Sequence, residues 1–441
     1  MAELLPARTS SLAVAPPTSL ADLGVSRDLL AGLVMRHLAA AGTLTGAQLE
    51  ERLRVPHSVL QPILDDLGRS LYLERGGHST DPAIQRRPMA VRMTYMVTSA
   101  GRLRATELAG VTSHYLGPCP LGLDAAVALI RAQGARRPTI RPDGVRAALA
   151  ELELDAKVVE EVGTAMSSRA SAFLYGAPGN GKSTIARCMA SLLGEPIEVP
   201  YAIAVGEDII RFLDPVYHHP VRGAKEALDR RLATVHRPLV RAGGELQLSQ
   251  LDLTYDRRAR YYEASLQWKA SGGVLVIDDF GRQMESPARL LNRFIVPMEE
   301  EVDYLDLAAS GHKIEVPFTC QVVFSTNLAP ADLVDEAFLR RIAHKILVPD
   351  PTPDAYRTIF LREAERNGLS VPDDAIDHLL GLYGERPRRG SHPKQLIAYI
   401  LHRAHYLGHR PAVTSESVTT AFEAYLNPAF TGASRAADAH W

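Results

Sequence analysis

Residues Gly176-Ala177-Pro178-Gly179-Asn180-Gly181-Lys182-Ser183 (GAPGNGKS) follow the apolar run SAFLY and lead into TIARCMASLL, which begins at Thr184. Every fixed position of G-x-x-x-x-G-K-[ST] is filled, and the flanks supply the strand before and the helix after that the pattern requires. Each residue type has a physical reason. Gly176, Gly179 and Gly181 let backbone N–H groups curl around phosphate oxygens, and a helix starting there adds the partial positive charge of its N-terminus. Lys182 is suited to reach the β- and γ-phosphates of a nucleotide, and the Ser183 hydroxyl to ligate Mg²⁺. Ala177, Pro178, Asn180 and Thr184 complete the stretch expected to touch the ligand.

Ninety-six residues beyond Lys182, GGVLVIDDF runs through four apolar residues to Asp278 and Asp279. An acidic residue at the tip of a buried strand beside a phosphate loop suits the Mg²⁺ shell, the expected role of Asp278. Asp279 follows where a general base for an attacking water would sit. Asp279-Phe280-Gly281 also spells a kinase D-F-G, but no H-R-D-x-x-x-x-N precedes it and the lysine belongs to the phosphate loop.

Working outward, short apolar runs alternate with helical stretches over 155–349: SAFLYG, IEVPYAI, GGVLVIDDF, LLNRFIVPM, CQVVFSTN and HKILVP. Continuous apolar strands between helices predict a parallel sheet covered on both faces. Residues 350–428 read as helical throughout, and 429–441 as a small polar tail. Residues 1–24 read as a disordered arm. Over 25–110, three helical stretches (DLLAGLVMRHLAAAG, TLTGAQLEERLRV, PHSVLQPILDDLGRSL) precede two strands and a closing helix, a winged-helix-like α+β outline. Residues 111–154, rich in Pro and Gly, form a linker with one short helix, LDAAVALIRAQ.

With these motifs in order, residues 155–428 resemble the AAA+ ATPases. The resemblance implies an α/β fold: a parallel-sheet P-loop core with a C-terminal helical lid. It further implies ATP and Mg²⁺ as cofactors, hydrolysis at subunit interfaces, and a ring homo-oligomer, usually a hexamer. Asn327, ending CQVVFSTN, is similar to the sensor-1 residue that orients the water. DEAFLRRI (Asp335–Ile342) resembles the arginine-finger segment, with Arg341 and its neighbour Arg340 as candidates. GSHPKQL (Gly390–Leu396) resembles the start of the sensor-2 helix, with Lys394 in the matching place. Two positions depart from the family: Asp279 stands where Glu is usual, and Lys394 where Arg is usual, with Arg388 and Arg389 close by. A shorter carboxylate lacks about a bond length of reach, which implies slow hydrolysis or a shifted site. Lysine lacks the planar fork of arginine.

Composition bounds the rest. The 441 residues are 46% hydrophobic and 23% charged, which excludes wholesale disorder. A net charge of −2 excludes a global grip on nucleic acid. Cys119, Cys188 and Cys320 lie far apart, favouring free thiols and a cytoplasmic setting. No signal peptide and no apolar run of ~20 residues is found, so no membrane is expected. The substrate is approached through three features. Tyr217, His218 and His219, within the long 196–271 insert, fall about where the family has a pore loop, and packing of the insert is an equal alternative. VDYLDLAASGHKIEVPFT (302–318 region) reads as a hairpin for DNA, a protein partner or an extended sheet edge. Residues 25–115 carry 11 Arg against 8 Asp plus Glu, with Arg86, Arg87 and Arg92 clustered, a weak charge for a DNA reader. The leading expectation is a chaperone-like motor remodelling a protein partner. The alternatives are a DNA-associated regulatory ATPase and a slow-hydrolysing nucleotide-dependent scaffold. Trp268 reads as a core anchor, and His402, His405 and His409 as packing or surface residues.

Overall fold

In the computed structural model the run before the glycine loop forms the strand Ala172–Tyr175, whose first three residues are fully buried. The structure describes residues 14–111, 113–136, 139–333 and 336–425. The strand Ala172–Tyr175 pairs in parallel with Gln321–Thr326 on one side and with His344–Leu347 on the other. Val274–Ile277 lies beyond Gln321–Thr326. Burial on both faces explains why these strands read as unbroken apolar runs. Thr326, Tyr175 and Leu347 are level in register, so Asn327, Gly176 and Val348 leave the sheet at its carboxyl edge. Asp278 follows Ile277 in the same way. That edge is where open α/β sheets bind ligands.

The chain divides into two compact units. The unit just described holds Thr139–Leu192, Val276–Gln283 and the chain from Val322 onward. Its helices Pro353–Arg366, Asp373–Tyr383, His392–Leu407 and Ser415–Tyr425 occupy the stretch expected to be helical. They share a core of their own that includes Tyr356, Phe360, Leu379, Tyr383, Ile400 and Phe422. The tail expected over 429–441 lies outside the described residues.

The other unit holds Met1–Pro138, Leu193–Leu275 and Met284–Gln321. The insert and the hairpin therefore cluster with the amino-terminal residues, and 155–349 is not one contact unit. The physical reason lies in strand pairing. Ile197–Pro200, expected within the parallel sheet, pairs antiparallel with Leu232–Val235. Gly206, at φ 59°, turns Ala202–Val205 back on Asp208–Arg211. These two strands join Leu121–Gly122, Tyr261–Glu263 and Thr254–Asp256 in a separate mixed sheet. Trp268 is buried there edge-on to Phe212, as a core anchor would be. The hairpin Val302–Leu307/His312–Pro317 forms as read, with Gly311 at φ 72°.

Within this unit the amino-terminal helices are Arg27–Ala41, Gly46–Leu53 and His57–Arg69, followed by strands Leu73–His78 and Met93–Val97 and the helix Ser99–Val111. A third strand, Thr43–Thr45, pairs with Met93–Val97. It lies within TLTGAQLEERLRV, which reads as helix from its first residue. Thr45 instead caps the helix, in a reciprocal capping box with Gln48. The arm expected over 1–24 needs a correction as well. Residues 1–13 lie outside the description, but Ala21–Leu23 form a 3-10 turn. Leu23 is buried, and its carbonyl accepts from Arg231 at 2.8 Å. The linker at 111–154 is also more ordered than expected, with helices at Leu123–Ala135 and Pro142–Leu149.

Candidate functional site

The glycine loop needs its glycines. Gly176, Gly179 and Gly181 have φ of 139°, 85° and 86°, where L side chains are strained. Space also matters: a Cβ on Gly176 would stand 2.3 Å from the Val348 carbonyl oxygen, and one on Gly179 2.2 Å from Ser391 Oγ. Gly181 caps the helix Lys182–Ser191, so that helix points its N-terminus at the loop.

Lys182 is buried, 7% exposed, yet the hydrogen-bond partners of its ammonium are neutral oxygens. It donates to the Gly176 and Ala177 carbonyls at 2.9 Å each and to Asn327 Oδ1 at 2.7 Å. Burial lowers its pKa below the usual lysine range, opposed by the charges of Asp278 and Asp279. Ser183 Oγ donates to Asp278 Oδ2 at 2.8 Å. This pair tests the fit for Mg²⁺: two hard oxygen donors stand within reach of one ion, which ordinarily takes one or two protein ligands and fills its octahedron with water and phosphate oxygens. Among the described residues no cluster of three or more His, Cys, Asp or Glu could hold a metal alone.

Asp279 is exposed and adopts φ 49°, a left-handed conformation that Asp and Asn tolerate best among non-glycine residues. The next residue fixes it there. Phe280 donates its N–H to the Ser325 carbonyl at 2.7 Å and packs its ring between Phe173 and Phe324, at 5.8 and 5.1 Å. A buried Phe280 also closes the D-F-G reading. Asn327 Nδ2 donates to Asp279 Oδ1 at 3.2 Å. One side-chain amide thus contacts both Lys182 and Asp279, the arrangement expected of a residue that orients groups near a phosphate.

The finger candidates lie in the same unit. Arg340 is exposed and paired with Glu336 at 2.7 Å. Arg341 is exposed and its carbonyl accepts from Ser171 Oγ at 3.4 Å. Asp335, at the start of that segment, lies outside the described residues. Lys394 is exposed in the first turn of His392–Leu407. The contacts to the loop come from just upstream of it: the Gly390 N–H reaches Asn180 Oδ1 at 3.2 Å, and Arg389 pairs with Asp350. Arg389 is one of the two arginines able to stand in for Lys394, Gly390 and Ser391 open the GSHPKQL stretch, and Asp350 is an addition that the sequence reading does not contain. Asp350 stands just after the strand His344–Leu347 and belongs to no motif.

A groove of about 800 Å³ lies along Pro142–Leu149 and Ala156–Ser168, lined by Val145, Leu149, Leu152, Leu154 and Val159. Leu152 brings its apolar wall to the loop, 3.3 Å from where a Cβ on Gly181 would be.

Elsewhere one expected feature is corrected. His218 is buried and stacked on Phe212, so it is not available to grip a polypeptide; Tyr217 is half-buried and His219 exposed. Of the basic cluster, Arg87 is paired with Glu50 at 3.1 Å and Arg92 donates to the Gln85 carbonyl at 3.4 Å. His402, His405 and His409 are exposed. The three cysteines are free, with Cys188 only partly buried. Among the described residues, no helix is long and apolar enough to cross a membrane.

A family described as a domain of unknown function (DUF8689) matches residues 352–424. No curated protein matches the chain. Among solved structures, it is similar to NtrX from Brucella abortus in complex with ATP, at 13% identity over 65% of this chain and 58% of that one, with a TM-score of 0.40. It is also similar to the RuvB Holliday junction branch migration motor of Thermotoga maritima, at 15% identity over 62% of this chain and 70% of that one, with a TM-score of 0.36. The chain spans less than two thirds of the length of the NtrX chain it matches.

Proposed function

We propose that this chain is an ATPase of the AAA+ type that binds ATP at the Gly176–Ser183 loop and hydrolyses its γ-phosphoryl bond. The observation that carries this reading is Lys182: a buried ammonium held against neutral oxygens at the N-terminus of a helix, with a carboxylate–hydroxyl pair beside it. Such a group lacks a direct anionic partner and is matched by a phosphate. In this reading Lys182 leaves the Gly176 and Ala177 carbonyls for the β- and γ-phosphate oxygens. Ser183 and Asp278 would hold Mg²⁺, which would supply neutralisation of the phosphate charge. Asp279 accepts a proton from the attacking water, held in place by Asn327. The apolar groove reaching the loop at Leu152 suits the face of a nucleobase.

The wider role belongs to the same proposal. The helices after residue 350 act as a lid on the α/β core. Arg341, exposed at the amino edge of the sheet, opposite the glycine loop, serves a neighbouring copy in a ring, for which a hexamer is the expected form. The amino-terminal α+β module, winged-helix-like in its element order, recruits a protein partner. The duplex-binding alternative is disfavoured by the second helix of its helix-turn-helix pair, His57–Arg69. That helix carries Asp65, paired with Arg75, and Asp66, paired with Arg27 and Arg69. Two carboxylates and Pro62 on this helix suit a phosphate backbone poorly.

One experiment tests both levels. Lys182→Ala is expected to abolish ATP binding, and Arg341→Ala to lower turnover by ~10³–10⁵. Mixing the two variants is expected to restore part of the turnover, because one supplies the finger and the other an intact loop. Turnover surviving in Lys182→Ala refutes the site assignment; no recovery on mixing refutes action between copies.

A further inference from the structure

Asn180 is 7% exposed and engages both ends of its amide on different segments. Its Nδ2 donates to the Pro349 carbonyl at 3.2 Å and to Asp350 Oδ1 at 2.7 Å. Its Oδ1 accepts the Gly390 N–H at 3.2 Å. The same Asp350 Oδ1 also takes the Arg389 guanidinium. Backbones meet closely here: a Cβ on Gly390 would stand 3.2 Å from the Gly179 carbonyl oxygen. One loop residue and one carboxylate therefore tie the glycine loop to the segment that opens the helix His392–Leu407.

From that segment the contacts continue inward. The Arg389 N–H donates to His392 Nδ1 at 3.4 Å. A backbone N–H only donates, so Nδ1 is an acceptor, and the Tyr383 hydroxyl donates to it at 2.9 Å. Tyr356 in turn donates its hydroxyl to Tyr383 at 2.8 Å. Both tyrosines are buried in the core of the four-helix region. Arg389 also bears on Lys182, since its charge is among the influences on that ammonium.

A phosphate at the loop is a second and more highly charged anion for the same guanidinium. We propose that Asp350 is a competing counter-ion for Arg389 and that Asn180 is the positioning residue that holds the pair on the loop. Phosphate binding and the Asp350–Arg389 ion pair then exclude one another. Occupancy of the loop passes to the helices through His392, Tyr383 and Tyr356. This inference rests on the nucleotide reading above.

The test uses the full chain, with ATP as probe in calorimetry and amide exchange on the nucleotide-free protein. Asp350→Asn keeps an oxygen for Asn180 but removes the competing charge, so ATP is expected to bind about 5- to 150-fold more tightly, the range of ordinary coupling between sites. That gain is expected to vanish in Asp350→Asn/Arg389→Ala. Unchanged or weaker binding in a folded Asp350→Asn, or an equal gain in the double variant, overturns the competition. Asn180→Ala is expected to speed exchange of the 389–392 amides about tenfold without nucleotide, because a local contact that closes them is lost. An unchanged rate overturns the positioning role. If the wild-type chain binds no ATP, the nucleotide reading and the competition fall together, and the exchange rate still decides the role of Asn180.

Discussion

Two regions of this molecule handle charge in opposite ways. Around the glycine loop, the buried Lys182 meets Asp278, Asp279, Asp350 and Arg389, all at least partly exposed, at a sheet edge, with like charges adjacent and the lysine hydrogen-bonded to neutral oxygens. In the other unit, deep charges neutralise each other. Arg231 and Asp229 are 1% and 0% exposed, and the guanidinium donates to the carboxylate through Nε, shared by both oxygens, and through Nη2, and also to the Leu23 and Pro120 carbonyls. Lys269 is held between Asp214 at 2.8 Å and Glu263 at 3.5 Å. The difference teaches where chemistry is possible: a charge already spent on its neighbours holds the fold, whereas a crowded, incompletely matched cluster has affinity left for a ligand.

The comparison breaks most visibly if a site charge proves structural. Asp279→Asn is expected to keep ATP binding and the melting temperature while lowering turnover by roughly 10²–10⁴, the worth of a general base. Asparagine tolerates the φ of 49° at this position, so the backbone need not move. Stopped turnover with an unchanged melt supports the contrast, and near-normal turnover removes Asp279 from the role of base. At the other pole, Asp229→Ala leaves the Arg231 guanidinium buried with carbonyl partners only. Breaking a buried pair from one side costs about 3–5 kcal/mol, readable as a shift in denaturant midpoint with no direct contact with the loop involved. A loss below about 1 kcal/mol would show that the pair is not the structural charge claimed here.

The same contrast explains what was legible in sequence. The loop is legible because phosphate chemistry demands fixed residue types at fixed spacings, Asp278 and Asp279 because they follow a buried apolar strand, and Asn327 only through the family resemblance; the strands read as unbroken apolar runs because they are buried on both faces. Arg389 is visible only as a neighbour of Lys394, and its partner Asp350 is not legible at all, because an ion pair between segments far apart in the chain has no spacing rule. Ile197–Pro200 reads as a strand of the parallel sheet because four-residue apolar runs do not distinguish parallel from antiparallel partners. Thr43–Thr45 reads as helix although Thr45 and Gln48 spell a capping box, a signal that marks the helix start at Gly46, immediately after the strand. For His218 the sequence leaves pore loop and packing open, because an aromatic-rich loop looks alike whether its rings face solvent or pack inward; the packing alternative is the one that holds for His218.

His218 also gives the smallest of the expected effects, one that sharpens the comparison by pH. The Asp214 N–H donates to its Nδ1 at 2.9 Å, so the proton sits on Nε2, which donates to the Lys269 carbonyl at 2.9 Å. The ring is thus locked neutral. Burial pushes its pKa from 6.5 down to about 4, with Lys269 and His219 adding to the fall and the Lys269 carbonyl and Asp214 opposing it. Because the folded value is depressed, the unfolded chain takes up the proton first as pH drops. The contribution is therefore complete above pH 6.5 and is lost as pH falls toward 4, amounting to about 2–3 kcal/mol. His392, in the other unit, is also pushed down to about 4, by burial first and then by Arg389, so wild-type stability alone confounds the two. His218→Gln separates them: glutamine can accept from the Asp214 N–H and donate to the Lys269 carbonyl without titrating. The wild-type chain is expected to lose stability between pH 6.5 and 4 more steeply than His218→Gln, with His392 common to both. Parallel profiles would mean that His218 titrates freely in the folded chain, and its place among the spent, structural groups would have to be given up.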